Sequence, residues 1–447
     1  MKKYIAMSLF ALFAMNVCAQ DFDTEPTLKV DNQENDVHFT VGARFMADYA
    51  AYHTDFTPMQ SGASITDARI RTSMTYKDWY FYADFGFGGG KFAQKNIFLQ
   101  YSKKDKNDNT HAIKAGYYND PAGSMARNTS LGSYHFISRP GSSMALGEGR
   151  ELGISYRFTN KMFTAYQGVF TENQYNKIDA GYNGIVVAGR YLVRPIMDEK
   201  QTVHVGVRGR YVKLGGGTVT NNVLKKSVRL AQPMETYVDE DEQFVSADLP
   251  WADRIWDLGA EALYHNDRVF LRGEYFFKRV TKKRDSYSLF IDAQNNIDGW
   301  GDIDWWTNAN KLRNNTFQGG YGEVGFMVFG KPYRYNLQEG VLGGLDGKAL
   351  EIVARFNYTH LNDKVKGEYF NPGRGEYYAN GYMEDWPGTG ATSVGGGIVR
   401  SYTVGANYSF NKFAMFMVDY TYHRLSKDML PYDKNFHQVQ ARLQFTF

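Results

Sequence analysis

Between Asn119 and Gly149 the chain carries Arg127, His135 and Arg139, with Arg150 immediately after, against only Asp120 and Glu148. A guanidinium presents a planar fork of donors that matches the oxygens of a phosphate-like anion, so this set is suited to holding oxyanions. Arg44, Arg69, Arg71 and Lys114 stand upstream, inside runs of alternating apolar residues. Charge selects an ion only where several such groups converge in thin water, because paired charges cancel and those beyond about 8 Å are screened at physiological salt. Bond-making chemistry finds little footing. There is no HExxH, no Walker loop and no GxSxG nucleophile turn. Asp292, Asp298, Asp302 and Asp304 fail the calcium-loop spacing, so we assign no metal and no cofactor.

What would position these groups is a period of two. Val37, Phe39, Val41, Ala43, Phe45, Ala47, Tyr49 and Ala51 fall on one face of a strand, while Thr40, Gly42, Arg44 and Asp48 fall on the other. A strand of that length far exceeds the mode of about 5–6 residues in soluble sheets. It needs an apolar medium on one side and tolerates charge on the other. The pattern returns at Trp79–Phe87, Val203–Tyr211, Tyr402–Phe410 and Ala414–Tyr422, and ends in Asn435–Phe447, where Gln438, Gln440, Arg442 and Gln444 share the polar face. Short polar turns such as Lys77-Asp78, Asn266-Asp267 and Asn411-Lys412 alternate with long Gly- and Asn-rich connections, as in outer-membrane barrels. Sixteen such runs, the first near Val37 and the last near Phe436, predict an all-β fold, a transmembrane antiparallel β-barrel of about 16 strands. Parity then turns inward a nearly balanced set of charges, including Arg208, Arg210, Arg272, Arg355 and Arg442 against Asp48, Glu261, Glu274, Glu323 and Glu351. Parity looks mixed between Met162 and Phe170, which predicts a bulge there.

Composition agrees with this reading. The 447 residues are 22% charged and 16% aromatic, with 45 Gly, 11 Pro and mean hydropathy −0.49. Beyond the first twenty residues no apolar run approaches the roughly 18 that a spanning helix needs. Residues 1–19, with Lys2-Lys3, an apolar stretch to Met15 and small residues before Gln20, read as a signal peptide. Residues 20–36 follow as a short periplasmic segment and residues 37–447 as the outer-membrane β-barrel. The single cysteine, Cys18, leaves with the signal peptide, so no disulfide framework is expected. Basic and acidic residues number 51 and 48, which points to no nucleic acid partner. The acidic run Asp239–Glu242, in the fifth long connection, reads as a solvated loop.

In order along the chain, Val41-Gly42-Ala43-Arg44-Phe45, Asp67-Ala68-Arg69-Ile70-Arg71, Trp79-Tyr80-Phe81-Tyr82, Lys114-Ala115-Gly116-Tyr117-Tyr118 and Gly149-Arg150-Glu151-Leu152-Gly153 resemble the phosphate-selective porin O/P family. Phe329-Gly330-Lys331-Pro332-Tyr333, Glu351–Phe356 and Tyr402–Ser409 continue the resemblance over nearly the whole chain. Each motif is loose, and their order carries the match. The resemblance implies a sixteen-stranded barrel of the bacterial outer membrane, usually trimeric, whose third loop folds inward to a constriction lined by Arg and Lys. The matching segment is Asn119–Gly149, which makes Arg127, Arg139 and Arg150, with Arg69, Arg71, Arg44 and Lys114 on the wall, candidates for contacting anions. It contains no lysine, a departure from the family's phosphate specialists. The function implied is passive diffusion of small hydrophilic solutes, with preference for phosphate or other anions, in a homotrimer surrounded by lipid and lipopolysaccharide. The other readings are a barrel enzyme of phospholipase or protease type and a fatty-acid channel.

Overall fold

The computed structural model describes residues 28–32, 36–54, 59–90, 92–171, 183–215, 218–220, 223–283, 312–373, 375–379, 393–428, 430 and 434–447. Residues 1–19, expected to be a signal peptide, and most of the sixth long connection lie outside the described residues. Sixteen long strands form the wall among the described residues. They are β1 Val37–Thr54, β2 Gly62–Tyr76, β3 Trp79–Gly86, β4 Ala93–Lys104, β5 Thr110–Asn119, β6 Arg150–Thr159, β7 Phe163–Thr171 and β8 Ile185–Met197. The second half is β9 Thr202–Lys213, β10 Ala252–His265, β11 Val269–Lys282, β12 Asn315–Phe329, β13 Ala349–Asp363, β14 Val394–Ser409, β15 Ala414–Ser426 and β16 Lys434–Thr446. Each pairs antiparallel with its sequence neighbours, and β16 pairs with β1 from Arg44↔Thr446 to Thr54↔Phe436, which closes the barrel.

Closure satisfies the backbone groups that an open edge would leave bare in lipid. The edge of β1 is used along its length. Where β16 ends, Phe447 N donates to Ala43 O at 2.8 Å, and a short strand, Leu28–Asn32, pairs with Val37–Val41 beyond it. Part of the segment preceding the barrel therefore extends the sheet.

One end of the barrel is closed by turns with a shared chemistry. Asp105, Asn160, Asp198, Asn266 and Asn411 each accept, through a side-chain oxygen, from two backbone N–H groups further along the turn. A short side-chain acceptor takes the place of a backbone carbonyl, which is why Asn and Asp recur at these positions. The two-residue turn after β2 places Lys77 at φ 51° instead.

Alternation sorts the residues as the two media require. Val439 is 44% exposed, whereas Arg442 between its neighbours on the opposite face is 0% exposed. The bulge expected near Met162–Phe170 is absent: β7 pairs with β6 and β8 without a shift of register. The faces look mixed because Tyr166 and Phe170 point inward while Gln167 points outward, where it accepts from the Tyr191 hydroxyl at 3.1 Å.

Three connections fill much of the interior. Residues 120–149, with short helices α1 Met125–Asn128 and α2 Gly141–Leu146, lie against inward-facing side chains of the wall. Met125 N donates to Glu274 at 2.8 Å, the Tyr134 hydroxyl to Glu323 at 2.7 Å, and Ser142 N to Asn357 at 2.8 Å. The fifth long connection runs inward as well as outward. Its hairpin of Ser227–Gln232 and Val245–Pro250 leads to a fully buried Glu235, which pairs with Arg355 at 2.9 Å and accepts from Gly141 N. Asp239 is also buried and accepts from Gln60 N, so only Glu240 and Asp241 of the acidic run are exposed, a correction to the solvated-loop expectation. From the short-turn end, residues 330–348 bend back into the barrel, where Tyr333 donates to Glu351 at 2.5 Å and Gly343 O meets His135 at 3.0 Å.

Candidate functional site

The interior presents two walls of different electrostatic character. On the wall from β8 round to β1, inward cations meet carboxylates. Arg190 binds Glu261 at 2.6 Å, Arg272 binds Glu323 at 2.5 Å, and Arg442 binds Asp48 at 2.6 Å. Arg208 pairs with Glu274, and Arg210 pairs with Glu151 and with Asp120. Lys278 holds Asp257 at 2.8 Å and also Glu148 at the exit of the third connection. Such pairs are nearly neutral from any distance, so they hold structure together and offer little field to a passing ion.

The wall from β2 to β6 differs. Here a cavity of about 340 Å³ is lined by Arg44, Arg69, Arg71, Lys114, Arg127, Arg139 and Arg150, all seven of the basic candidates read from the sequence. Arg44 and Arg69 are bound to Asp67 at 2.5 and 2.7 Å, and Arg69 reaches Asp84 at 3.1 Å. Among the described residues no Asp or Glu forms an ion pair with the other five. Arg150 donates to Asn96 Oδ1 at 2.6 Å, and Arg71 to Phe447 O at 2.6 Å. The Lys114 ammonium sits 4.5 Å from the Phe98 ring centre and 5.2 Å from that of Tyr118.

Local folding explains how the two loop arginines arrive. Asp120 Oδ1 accepts from Gly123 N, and the Ser124 hydroxyl then caps α1 by accepting from Arg127 N at 3.0 Å. Arg127 donates to the carbonyls of Ser143 and Met144, and Arg139 to those of Ala126 and Thr129. Each guanidinium therefore ties one part of the connection to another, with no Asp or Glu within ion-pair distance among the described residues. Burial, and then the nearby Arg139 charge, lower the Arg127 pKa to about 10, still a cation at neutral pH.

The family model for phosphate-selective porin O and P matches residues 39–447. The chain belongs to this family. It is a porin, a channel of the bacterial outer membrane. No curated protein matches it by sequence. Among solved structures it is similar to OprB of Pseudomonas putida, at 10% identity and TM-score 0.51 over 92% of this chain and 94% of the other. OmpT of Vibrio cholerae, at 10% identity and TM-score 0.49, covers 94% and 100%. An anion-selective porin from Comamonas acidovorans, at 10% and 0.48, covers 92% and 100%.

In this porin a second cavity of about 400 Å³ lies toward the short-turn end, and Tyr80, Phe98, Lys114 and Glu339 line both. Lys103, Lys104 and Arg157 also line the second cavity, Lys104 paired with Asp108 at 2.7 Å. Glu339 belongs to the inward connection 330–348 and meets Arg157 at 3.2 Å, while its carbonyl accepts from Arg190 at 2.8 Å. Sequence reasoning missed this residue and the connection that carries it. The signal available was Tyr333, Tyr335, Val341 and Leu342, apolar bodies crowded into what looks like a surface turn, of which Tyr333, Val341 and Leu342 are buried. Tyr80 and Tyr82, which alternation places on the inward face with Asp84, and Phe98 were also passed over as site residues, because only the charged groups on that face were weighed.

Proposed function

We propose that this porin passes small hydrophilic anions by passive diffusion along the β2–β6 wall. The supporting observation is the asymmetry of pairing: Lys114, Arg127, Arg139 and Arg150 line one cavity without an ion-pair partner among the described residues, whereas the opposite wall is neutralised. An anion moving along this side meets uncompensated charge at close range, and a cation is repelled there. Arginine forks favour oxyanions such as phosphate among the solutes admitted. The charged interior speaks against a fatty-acid channel.

The test is the reversal potential of the purified mature protein in a planar bilayer under a chloride gradient, with Lys114→Gln and Arg71→Gln beside the wild type. Anion preference that falls in both variants supports the reading, and a reversal potential near zero in the wild type overturns it. We further propose cleavage after residue 19, a homotrimer in contact with lipid and lipopolysaccharide, and no enzymatic step. N-terminal sequencing, cross-linking of the membrane-embedded protein and assays for lipid or peptide hydrolysis test these in turn.

A further inference from the structure

The rings along the cation-lined side form a surface of their own. Tyr80, Tyr82 and Phe98 face inward on β3 and β4, where Tyr82 and Phe98 are register partners. The rings of Tyr82 and Phe98 are stacked with centres 5.4 Å apart at 25°, and those of Tyr80 and Tyr82 lie 6.3 Å apart at 28°. Tyr80 and Phe98 lie 6.0 Å apart at 52°, so the three rings make one curved platform. Tyr80 and Phe98 border both cavities, with Lys114 above Phe98 and Arg71 lining the inner cavity beside them. Gly116, the register partner of Phe98, lets the two strands approach closely beneath the rings: a Cβ there would lie 2.3 Å from Ile97 O and 2.6 Å from Phe98 Cα.

A bare inorganic anion gains nothing from such a platform. The face of an aromatic ring is the negative part of its quadrupole, so it attracts cations and apolar C–H surface and repels an anion. Lining a passage for phosphate alone with ring faces would weaken it. The arrangement suits a solute with two parts, a charged group for Arg71 and Lys114 and a flat apolar face for the rings.

Building on the anion reading above, we infer that the Tyr80–Tyr82–Phe98 platform, flanked by Arg71 and Lys114, is a binding site for small ring-bearing organic anions of the sugar phosphate class. The charged group pairs with the cations while the C–H face of the sugar ring lies on the aromatic faces, and the solute slides from one cavity to the other.

The experiment is current block in planar bilayers by glucose 6-phosphate, inorganic phosphate and glucose, titrated on wild type, Tyr82→Leu/Phe98→Leu and Tyr82→Phe channels. The expected result is half-block by glucose 6-phosphate at a concentration about ten-fold below that of inorganic phosphate, the scale of a single ring-stacking contact. That ratio should fall to about one in the double leucine variant and persist in Tyr82→Phe, which keeps the ring. Equal block by the two phosphates in an anion-selective wild type overturns the platform and leaves the anion reading standing. So does block by glucose as strong as by glucose 6-phosphate, since the cations would then contribute nothing to the site. A wild type with no anion preference and no block by either phosphate sinks the anion reading, and the platform with it. The wild-type comparison decides the matter even if the double variant fails to insert.

Discussion

Residues of the same type have opposite duties in this barrel, and the partner decides which. Arg272 is fully buried on Glu323, so Arg272→Gln leaves that buried carboxylate only the longer contact to Arg355 at 3.7 Å and should cost about 3 kcal/mol, seen as a lower temperature for the heat-modifiable shift in gel migration. Lys114 has two ring faces and the Glu339 carboxylate nearby but no ion pair at contact distance, so Lys114→Gln should leave stability within about 1 kcal/mol of wild type. It should instead lower the anion-to-cation permeability ratio about two- to five-fold, because a unit charge some 4–8 Å from an ion in water is worth about 0.5–1 kcal/mol. Glu339 is the mirror case. It is the carboxylate where the two cavities meet, and Glu339→Gln both removes its charge and releases those of Arg157 and Lys114. The same ratio should rise by a similar factor, and a fall would place Glu339 outside the ion path. Arg127 and Arg139 are less clean tests than their sequence suggests. Alanine there removes four hydrogen bonds to loop carbonyls as well as two charges, so lost selectivity would not separate filter from scaffold.

At the scale of elements, the strands were legible because the boundary between lipid and interior imposes alternation over ten or more residues, as in β1 and β16. The turns were legible because Asn and Asp supply the acceptor that the turn geometry needs. Two of the three inward connections were not. Residues 227–250 and 330–348 have the composition of surface loops, and what draws them inward is pairing with wall residues far along the chain, such as Glu235 with Arg355 and Tyr333 with Glu351. No local pattern encodes those contacts. Replacing residues 331–347 by a short Asn-Gly turn should therefore raise single-channel conductance, since the segment occupies interior space, and an unchanged conductance would show that the current bypasses it. The third connection has a titratable anchor. Burial alone would raise the Glu148 pKa, but the Arg210 and Lys278 charges overcome this and hold it at about 2. A depressed carboxylate contributes stability that is complete above its unfolded value of roughly 4.3 and is lost as pH falls through the folded value. Wild-type heat stability should thus decline between pH 4.5 and 2, by about 1–2 kcal/mol more than in Glu148→Gln. Equal declines would mean that Glu148 does not anchor the loop.

For the whole molecule the question is whether selectivity comes from net charge or from local charge. The formal net charge is +3 over 447 residues, and most cations on the β8–β1 wall are matched by carboxylates a few ångströms away. Such a body has little long-range field, so steering from a distance cannot be the source of a strong preference. The unpaired cations of the β2–β6 wall act only on an ion already beside them. These two origins respond differently to salt. The Debye length shrinks from about 10 Å at 0.1 M to about 3 Å at 1 M, which erases steering but leaves ion contacts of 3–5 Å partly intact. The permeability ratio measured in equal-fold gradients should accordingly weaken between 0.1 and 1 M salt yet stay on the anion side. If it collapses to unity at 1 M, the preference is a field effect of the molecule as a whole, and the cations gathered around Lys114 and Arg150 are not its filter. If it persists, a handful of side chains on one wall sets what the barrel admits, and the paired wall serves to hold them in place.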